Sequence, residues 1–471
     1  MNGLSAFIPE LYAFAVVLVF FGLSLTQPNA RRSHTLAWCL AGIGVAVCLA
    51  SIGRSAGLFR QTYRIDLFSQ VVKTLLFLGF FLATLLCRDL KGIDEKRHNE
   101  FYTLLGVGTL AMMMLVSSVH LITLYTTLEL SSYSLYILVY LRKGPDKELE
   151  SGLKYFIIGA LSSAMMLFGF AIVYGTLHTA YLFEWRTVLP GKIGDPLLLT
   201  GLILSLSGFL FKLAVFPFHF WAPDAYEGSA NQVAAFIATT SKVAAVAVVL
   251  RFVSALSGAN DDPAPFLVVL SILSMTVGNL AALAQKDLKR MLAFSSIAHA
   301  GYALIGISGM NALGQASALF YVLGLFAMKY TCFMVVTVVS VDGRNVSLKD
   351  LAGLHQRAPI LALALLLALF GLAGIPPTIG FSGKLMMFLS AMQAGRFYLV
   401  LIGMVNVVIS LYYYLQILKA AYFLEPDQRA GKLPLTGSLR LVALILILIM
   451  LVGGLWPHFL MELAFKAVAG L

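Results

Sequence analysis

The sequence reads as an all-α polytopic membrane protein with about 14 transmembrane helices, arranged as two inverted five-helix repeats that each contain a discontinuous helix. Three observations point there. Of 471 residues, 60% are hydrophobic and only 12% charged, where a soluble domain is about a quarter charged. That apolar share fills about fourteen spans of roughly 20 residues each. The apolar residues run on without alternation, which excludes an outer-membrane barrel, and prolines interrupt two of the runs.

The runs cover 6–25, 36–53, 65–87, 101–117, 119–141, 155–177, 196–217, 231–250, 265–285, 291–309, 313–341, 359–394, 398–418 and 441–457. The twelfth is too long for one straight span and contains Gly374-Ile375-Pro376-Pro377. Two successive prolines remove two N–H donors and clash with preceding carbonyls, so a helix broken within the membrane is predicted. The pattern Leu210-Phe211-x-Leu213-Ala214-x-x-Pro217 returns at Leu369-Phe370-x-Leu372-Ala373-x-x-Pro376, 159 residues on. That offset suits about five spans. An odd number inverts the second copy, the architecture of ion and proton transporters.

Orientation follows from the basic residues. With the N-terminus outside, 20 of the 33 Lys and Arg fall in inward connections, 8 in outward ones, and five inside apolar runs. Positive residues concentrate on the cytoplasmic side, so both termini are predicted on the outer side. The same dispersal explains the net charge of +11 without nucleic acid, since no basic arm exists. Nothing basic precedes Arg31, so the first run does not read as a signal peptide. Cys39, Cys48, Cys87 and Cys332 form no C-x-x-C pair, and no P-loop or dinucleotide fingerprint occurs, so no redox centre or nucleotide site is expected.

Charges inside apolar runs are the candidate site, because each costs roughly 2.5–3.5 kcal/mol at the bilayer centre. Glu129 lies mid-run with Tyr125, Thr126, Ser132 and Tyr133 on its helical face, a hydroxyl stripe able to pass protons. Lys212 stands five residues before Pro217, whose missing N–H frees carbonyls that can admit water. Lys242 is too deep in the eighth run to snorkel. Lys329 is also mid-run, and Lys384 follows the double-proline break. His299, with Ser295, Ser296 and Tyr302 on its face, suits a relay. Lys73, seven residues after Asp66, is expected to form a structural ion pair there.

At these residues the chain resembles the antiporter-like membrane subunits of proton-pumping NADH–quinone oxidoreductase, respiratory complex I, and especially the N-subunit branch. The likeness covers nearly the whole chain. It rests on Glu129-Leu130-Ser131-Ser132, on Lys212 through Pro217-Phe218-His219-Phe220-Trp221-Ala222-Pro223-Asp224-Ala225-Tyr226-Glu227-Gly228, on Ala238 to Lys242, on Leu288-Lys289-Arg290 through His299 to Tyr302, and on Leu372 to Pro377 leading to Lys384. Tyr226 favours the N branch over its sisters. Lys329 and Ser229-Ala230-Asn231-Gln232 depart from that branch's pattern.

The resemblance implies spans 1–3 over 1–100, a first repeat over 101–256, a second over 257–424 and a last span over 425–471. It also implies that Glu129 and Lys212 form a coupled pair, that Lys242 links the halves, and that Lys384 serves the second half-channel. The implied activity is proton translocation coupled to quinone reduction in neighbouring subunits of a bacterial inner membrane. NADH, FMN, iron–sulfur clusters and quinone are then expected in partner subunits of the membrane and hydrophilic redox arms, with no cofactor or metal in this chain. An Mrp-type cation/proton antiporter or membrane-bound hydrogenase subunit is the alternative.

Overall fold

The structure, a computed structural model, describes residues 2–26, 29–143, 147–192, 194–256, 264–426, 431–433 and 435–471. Each of the fourteen apolar runs is helical. Spans one to seven are Ile8–Ser24, Ala30–Ala50, Leu67–Leu86, His98–Ser117, Leu121–Tyr140, Lys147–Leu177 and Pro196–Leu213. Spans eight to eleven are Asn231–Ser254, Ala264–Leu283, Leu288–Ser308 and Ala312–Val339. The twelfth is split into Pro359–Ala373 and Ile379–Gln393, and Phe397–Phe423 and Gly437–Leu455 complete the set. Among the described residues, eleven helices are long and apolar enough to cross a membrane by themselves.

Local chemistry sets where spans begin. Asn29, Asp195, Asp287, Asn311 and Thr436 each accept a hydrogen bond from a backbone N–H of the first turn, supplying one of the partners that a helix start otherwise lacks. Asp66 goes further: its side chain accepts from Ser69 N while Ser69 Oγ accepts from Asp66 N, a reciprocal box that fixes the start of span three.

The spans are unequally covered. Span eight is buried along its whole length, span ten over 94% and span eleven over 83%, whereas spans two and fourteen are only 28% buried. The innermost helices are therefore those that carry Lys242, His299 and Lys329. Span eight contains a π-helical turn over Ile237–Ser241, directly before Lys242. On one face the connections are joined by bridges between Tyr63 and Ser118 and between His120 and Tyr181, and on the other between Ile93 and Arg142 and between Asp287 and Ser347.

Both predicted breaks are present, with one correction to their register. Span seven ends in a left-handed residue, Ala214 (φ 57°), and the first part of span twelve in Gly374 (φ 85°). Val215 N donates to Leu210 O and Ile375 N to Phe370 O, each at 2.9 Å. The two turns therefore superpose at an offset of 160, aligning Pro217 with Pro377 rather than with Pro376. The 159-residue pattern is a coincidence of two common residues, Leu and Ala. Gly374 is favoured on two counts: its φ disfavours a side chain, though Ala214 bears one at the equivalent position, and an added Cβ would lie 3.0 Å from Lys384 Cδ.

Three further features differ from the sequence reading. A two-stranded hairpin, Ala56–Leu58 with Tyr63–Ile65, caps spans two and three. Its turn residues Phe59, Arg60 and Gln61 all have positive φ without a glycine or asparagine, so the usual hairpin signal is absent. A last helix, His458–Val468, packs against spans three and eleven. Arg251, counted above among outward charges, is buried inside span eight, which widens the inward bias of exposed basic residues.

Candidate functional site

Lys212, Lys242, Lys329, Lys384 and His299 are all fully enclosed, none more than 3% exposed. Glu129 is not. It is partly exposed on the outer flank of span five, between Leu130 and Tyr133, which are 45% and 49% exposed. Its hydrogen bond comes from Ser163 of span six. Of the predicted stripe, Thr126 and Ser132 donate to carbonyls of their own helix, while Tyr133 lies within hydrogen-bonding reach of Glu129.

Lys212 is no snorkelling residue. Its Nζ donates to Ser131 Oγ at 2.8 Å, and the side chain is 1% exposed. No direct ion pair joins it to Glu129 among the described residues; the carboxylate acts on it through space. Lys242 and Lys384 share a more specific environment. Lys242 Nζ donates to Leu213 O (2.8 Å) and Lys212 O (3.3 Å), and Lys384 Nζ to Leu372 O (2.8 Å) and Ala373 O (3.2 Å). At the 160-residue offset these are equivalent carbonyls. A helix that stops inside the membrane leaves its last carbonyls unpaired, and each break meets that need with an ammonium. Both cations also face an aromatic ring, Lys242 above Trp221 at 5.1 Å and Lys384 above Tyr302 at 4.3 Å.

Between them lies a closed hydrogen-bonded chain. Lys329 Nζ donates to Ser295 Oγ (2.7 Å) and to Leu292 O (2.9 Å). Ser295 Oγ meets Tyr414 OH at 2.6 Å, Tyr414 OH meets His299 Nε2 at 2.9 Å, and His299 Nδ1 meets Tyr321 OH at 2.5 Å. Every member has both a donor and an acceptor function except the terminal ammonium, so a proton can move along it by successive exchange. Lys329, Ser295 and His299 were visible in the sequence. Tyr321, Tyr414, Ser131 and Ser163 were not singled out; their partners are 22 to 119 residues distant. Ser296 stands outside, donating to Leu292 O of its own helix.

Beside Lys242, the buried hydroxyls of Thr240 and Ser241 in the π turn have no hydrogen-bond partner among the described residues. At the end of the second face, Arg290 binds Asp224 (2.6 Å) and Glu227 (2.9 Å), and Lys154 binds Asp224 at 3.0 Å. Partial burial would raise the Asp224 carboxyl, but Arg290 and Lys154 hold it below its ordinary value. Lys289 donates to Ser229 O at 2.7 Å, which anchors the turn that departs from the N-branch pattern, and span eight starts regularly at Asn231.

The expected Lys73–Asp66 pair does not form. Seven residues rise about 10 Å along a helix, and Asp66 is already engaged by Arg251, whose two terminal nitrogens each lie 3.0 Å from a carboxylate oxygen. Lys73 instead meets Glu10 of span one at 2.5 Å.

Residues 118–410 match the family described as NADH:quinone oxidoreductase/Mrp antiporter, transmembrane. A protein of Syntrophobacter fumaroxidans named NADH-quinone oxidoreductase subunit N 2 is 51% identical over 472 residues, covering 100% of both chains. One of the same name from Opitutus terrae is 42% identical, over 100% of this chain and 98% of that one. Among solved structures, a chain of respiratory complex I from Thermus thermophilus superposes with a TM-score of 0.85 at 34% identity, covering 97% of this chain and 99% of that chain. A chain of the Mrp complex from a Dietzia species shares the fold at a TM-score of 0.87 and 20% identity, over 99% and 97%. With the breaks, the buried lysines and full-length likeness in agreement, the chain belongs to the transmembrane family of NADH:quinone oxidoreductase and Mrp antiporter subunits.

Proposed function

We propose that this chain is a proton-translocating membrane-arm subunit of a redox-driven NADH–quinone oxidoreductase. The observation that carries the reading is the unbroken chain Lys329–Ser295–Tyr414–His299–Tyr321, in which span thirteen brings Tyr414 against the two buried spans ten and eleven, between two ammonium groups that rest on broken-helix carbonyls. Lys212 and Lys242 extend this line through the first half, and Glu129, on the open flank, is where charge in an adjacent subunit meets it. Each lysine hands on a proton when its neighbour's charge changes, since an added like charge in a low-dielectric interior favours the neutral amine.

The chain lies in a bacterial inner membrane with both termini outside, and 101–256 and 257–424 act as two half-channels; the boundary at 257 lies outside the described residues. It carries no redox centre, and NADH, FMN, iron–sulfur clusters and quinone belong to partner subunits. An Mrp-type antiporter has the same fold, but full-length identity of 51% to a subunit N supports the redox pump. The test is purification of the intact membrane complex. Flavin and iron–sulfur subunits should accompany this chain, and assembled Glu129→Gln and Lys212→Ala variants should lose proton transport. Normal transport in either would remove the track from the mechanism.

A further inference from the structure

We propose that Glu10, Lys73 and Tyr63 form a second proton-exchange site, apart from the lysine track and close to the face that holds the N-terminus. The proposal rests on the proton-pump reading but on different residues. Glu10 and Lys73 are 1% and 2% exposed, and their charges lie 2.5 Å apart. Tyr63 OH donates to Glu10 Oε1 at 2.6 Å, and its ring lies under the ammonium at 5.2 Å. Glu10 Oε2 is enclosed and has no hydrogen-bond partner among the described residues. Buried carboxylate oxygens in folded proteins are as a rule hydrogen-bonded, so this oxygen is an open acceptor at the site.

Spans two, three, four and eight and the hairpin surround the site, with Ser117 of span four beside the Tyr63 hydroxyl. Span two contributes Cys48, whose sulfur feels both Glu10 and Lys73. Span three contributes Asp66 and span eight Arg251, locked to each other. Arg64 of the hairpin, 42% exposed, reaches Asp66 at 3.6 Å and opens the cluster to the surface. Glu10 stands in the first turn of span one and Lys73 in the second turn of span three, so the site is one or two turns beneath that face. Arg251 lies on the same helix as Lys242, nine residues on, about 13 Å along the axis.

A purely structural role fits poorly. A buried ion pair is often replaceable by packed apolar residues at no loss of stability, and ionisable groups within a span commonly mark a proton or ion path. The exchange is simple. The Lys73 ammonium passes a proton to Glu10, leaving a neutral amine and a carboxylic acid. The acid then releases a proton to solvent at the near face and the amine takes up another, so only N–H and O–H bonds change and charge is restored each cycle. Tyr63 positions the carboxylate by holding Oε1.

The test uses the intact complex in sealed vesicles, with NADH oxidation and vesicle acidification followed together. Glu10→Gln with Lys73→Met keeps shape and removes both titratable groups. A structural pair predicts full pumping in this neutral variant; a proton site predicts at least a fivefold loss, and full pumping overturns the proposal. Should the double variant not accumulate, Tyr63→Phe removes one hydroxyl only. It should pump at half the rate or less with a displaced pH profile, and an unchanged rate and profile would overturn the proposal equally. Glu129→Gln is run alongside: loss there with normal pumping in the Glu10 variant defeats this site alone, whereas normal pumping in Glu129→Gln defeats the track.

Discussion

The two halves of the molecule solve the same problem differently. In the second half the ionisable groups are linked from Lys329 to Tyr321 by direct hydrogen bonds, each member enclosed. In the first half Glu129 and Lys212 are each bonded to a separate serine and not to each other, and Glu129 sits on the flank. A continuous chain conducts whenever its ends are charged appropriately. A discontinuous one conducts only when something brings its pieces into register. On the proposed function, the first half is the controlled part and the second the transmitting one.

The largest expected effect tests the junction. Lys242→Ala removes the side chain that donates to Lys212 O and Leu213 O at the first break, leaving only Trp221 on Phe211 O among the described residues, and pumping should fall more than tenfold, about 1.4 kcal/mol or more on the barrier. Acidification of vesicles containing the assembled complex measures it, and a smaller loss would mean that the halves work independently. Next, Glu129→Gln and Lys212→Ala should each cost about tenfold, but the double variant much less than the product, because coupled residues are not additive. Fully additive losses would show that the two are not one controlled unit.

A severalfold effect separates conduction from control. Tyr414→Phe cuts both Ser295 and His299 from the chain, whereas Ser131→Ala removes a single partner of Lys212. The first should slow steady pumping; the second should change its response to electron-transfer rate more than its maximum. Equal effects on both readouts would erase the distinction. Smaller again is the pair at the breaks. Gly374→Ala forces a side chain into left-handed backbone against Lys384 and should destabilise by about 1–2 kcal/mol, while Ala214→Gly relieves the same strain and should be close to neutral. Thermal unfolding of the detergent-solubilised complex compares them.

The smallest effect is at the surface. Asp224 has a lowered folded value through Arg290 and Lys154, so its contribution is present above the ordinary aspartate range and fades as pH falls through its folded value. Arg290→Gln should cost about 1 kcal/mol or less at neutral pH, and the difference from the parent should vanish in acid. A difference that grew in acid would exclude this ion cluster as the source.

The sequence disclosed much of this because charge in an apolar run is conspicuous: Glu129, Lys212, Lys242, Lys329, Lys384 and His299 needed no partner to be noticed. What it hid were the partners. Hydroxyls are ordinary in membrane helices, so nothing marks Tyr321 or Tyr414, and nothing gives Ser131 a role beyond its motif, until the fold places them beside a distant ammonium or imidazole. Register was equally hidden. A repeated Leu-Phe-x-Leu-Ala suggested an offset that backbone geometry moved by one residue, and Lys73 found Glu10, 63 residues upstream, because a capping box and Arg251 had already claimed Asp66.

The π turn of span eight gives that helix an unusual property. A π turn holds one residue more than the α-helix it interrupts, and one residue is about 100° of rotation. The segment before Ile237 and the segment after Ser241 are thus out of phase, like two camshaft lobes ground on one axle. Without the extra residue, Lys242 and Arg251 would swing together away from the break of span seven and from Asp66. Deleting one residue of the turn would then do what no substitution does: keep Lys242 and Arg251 themselves and retime both of their contacts at once.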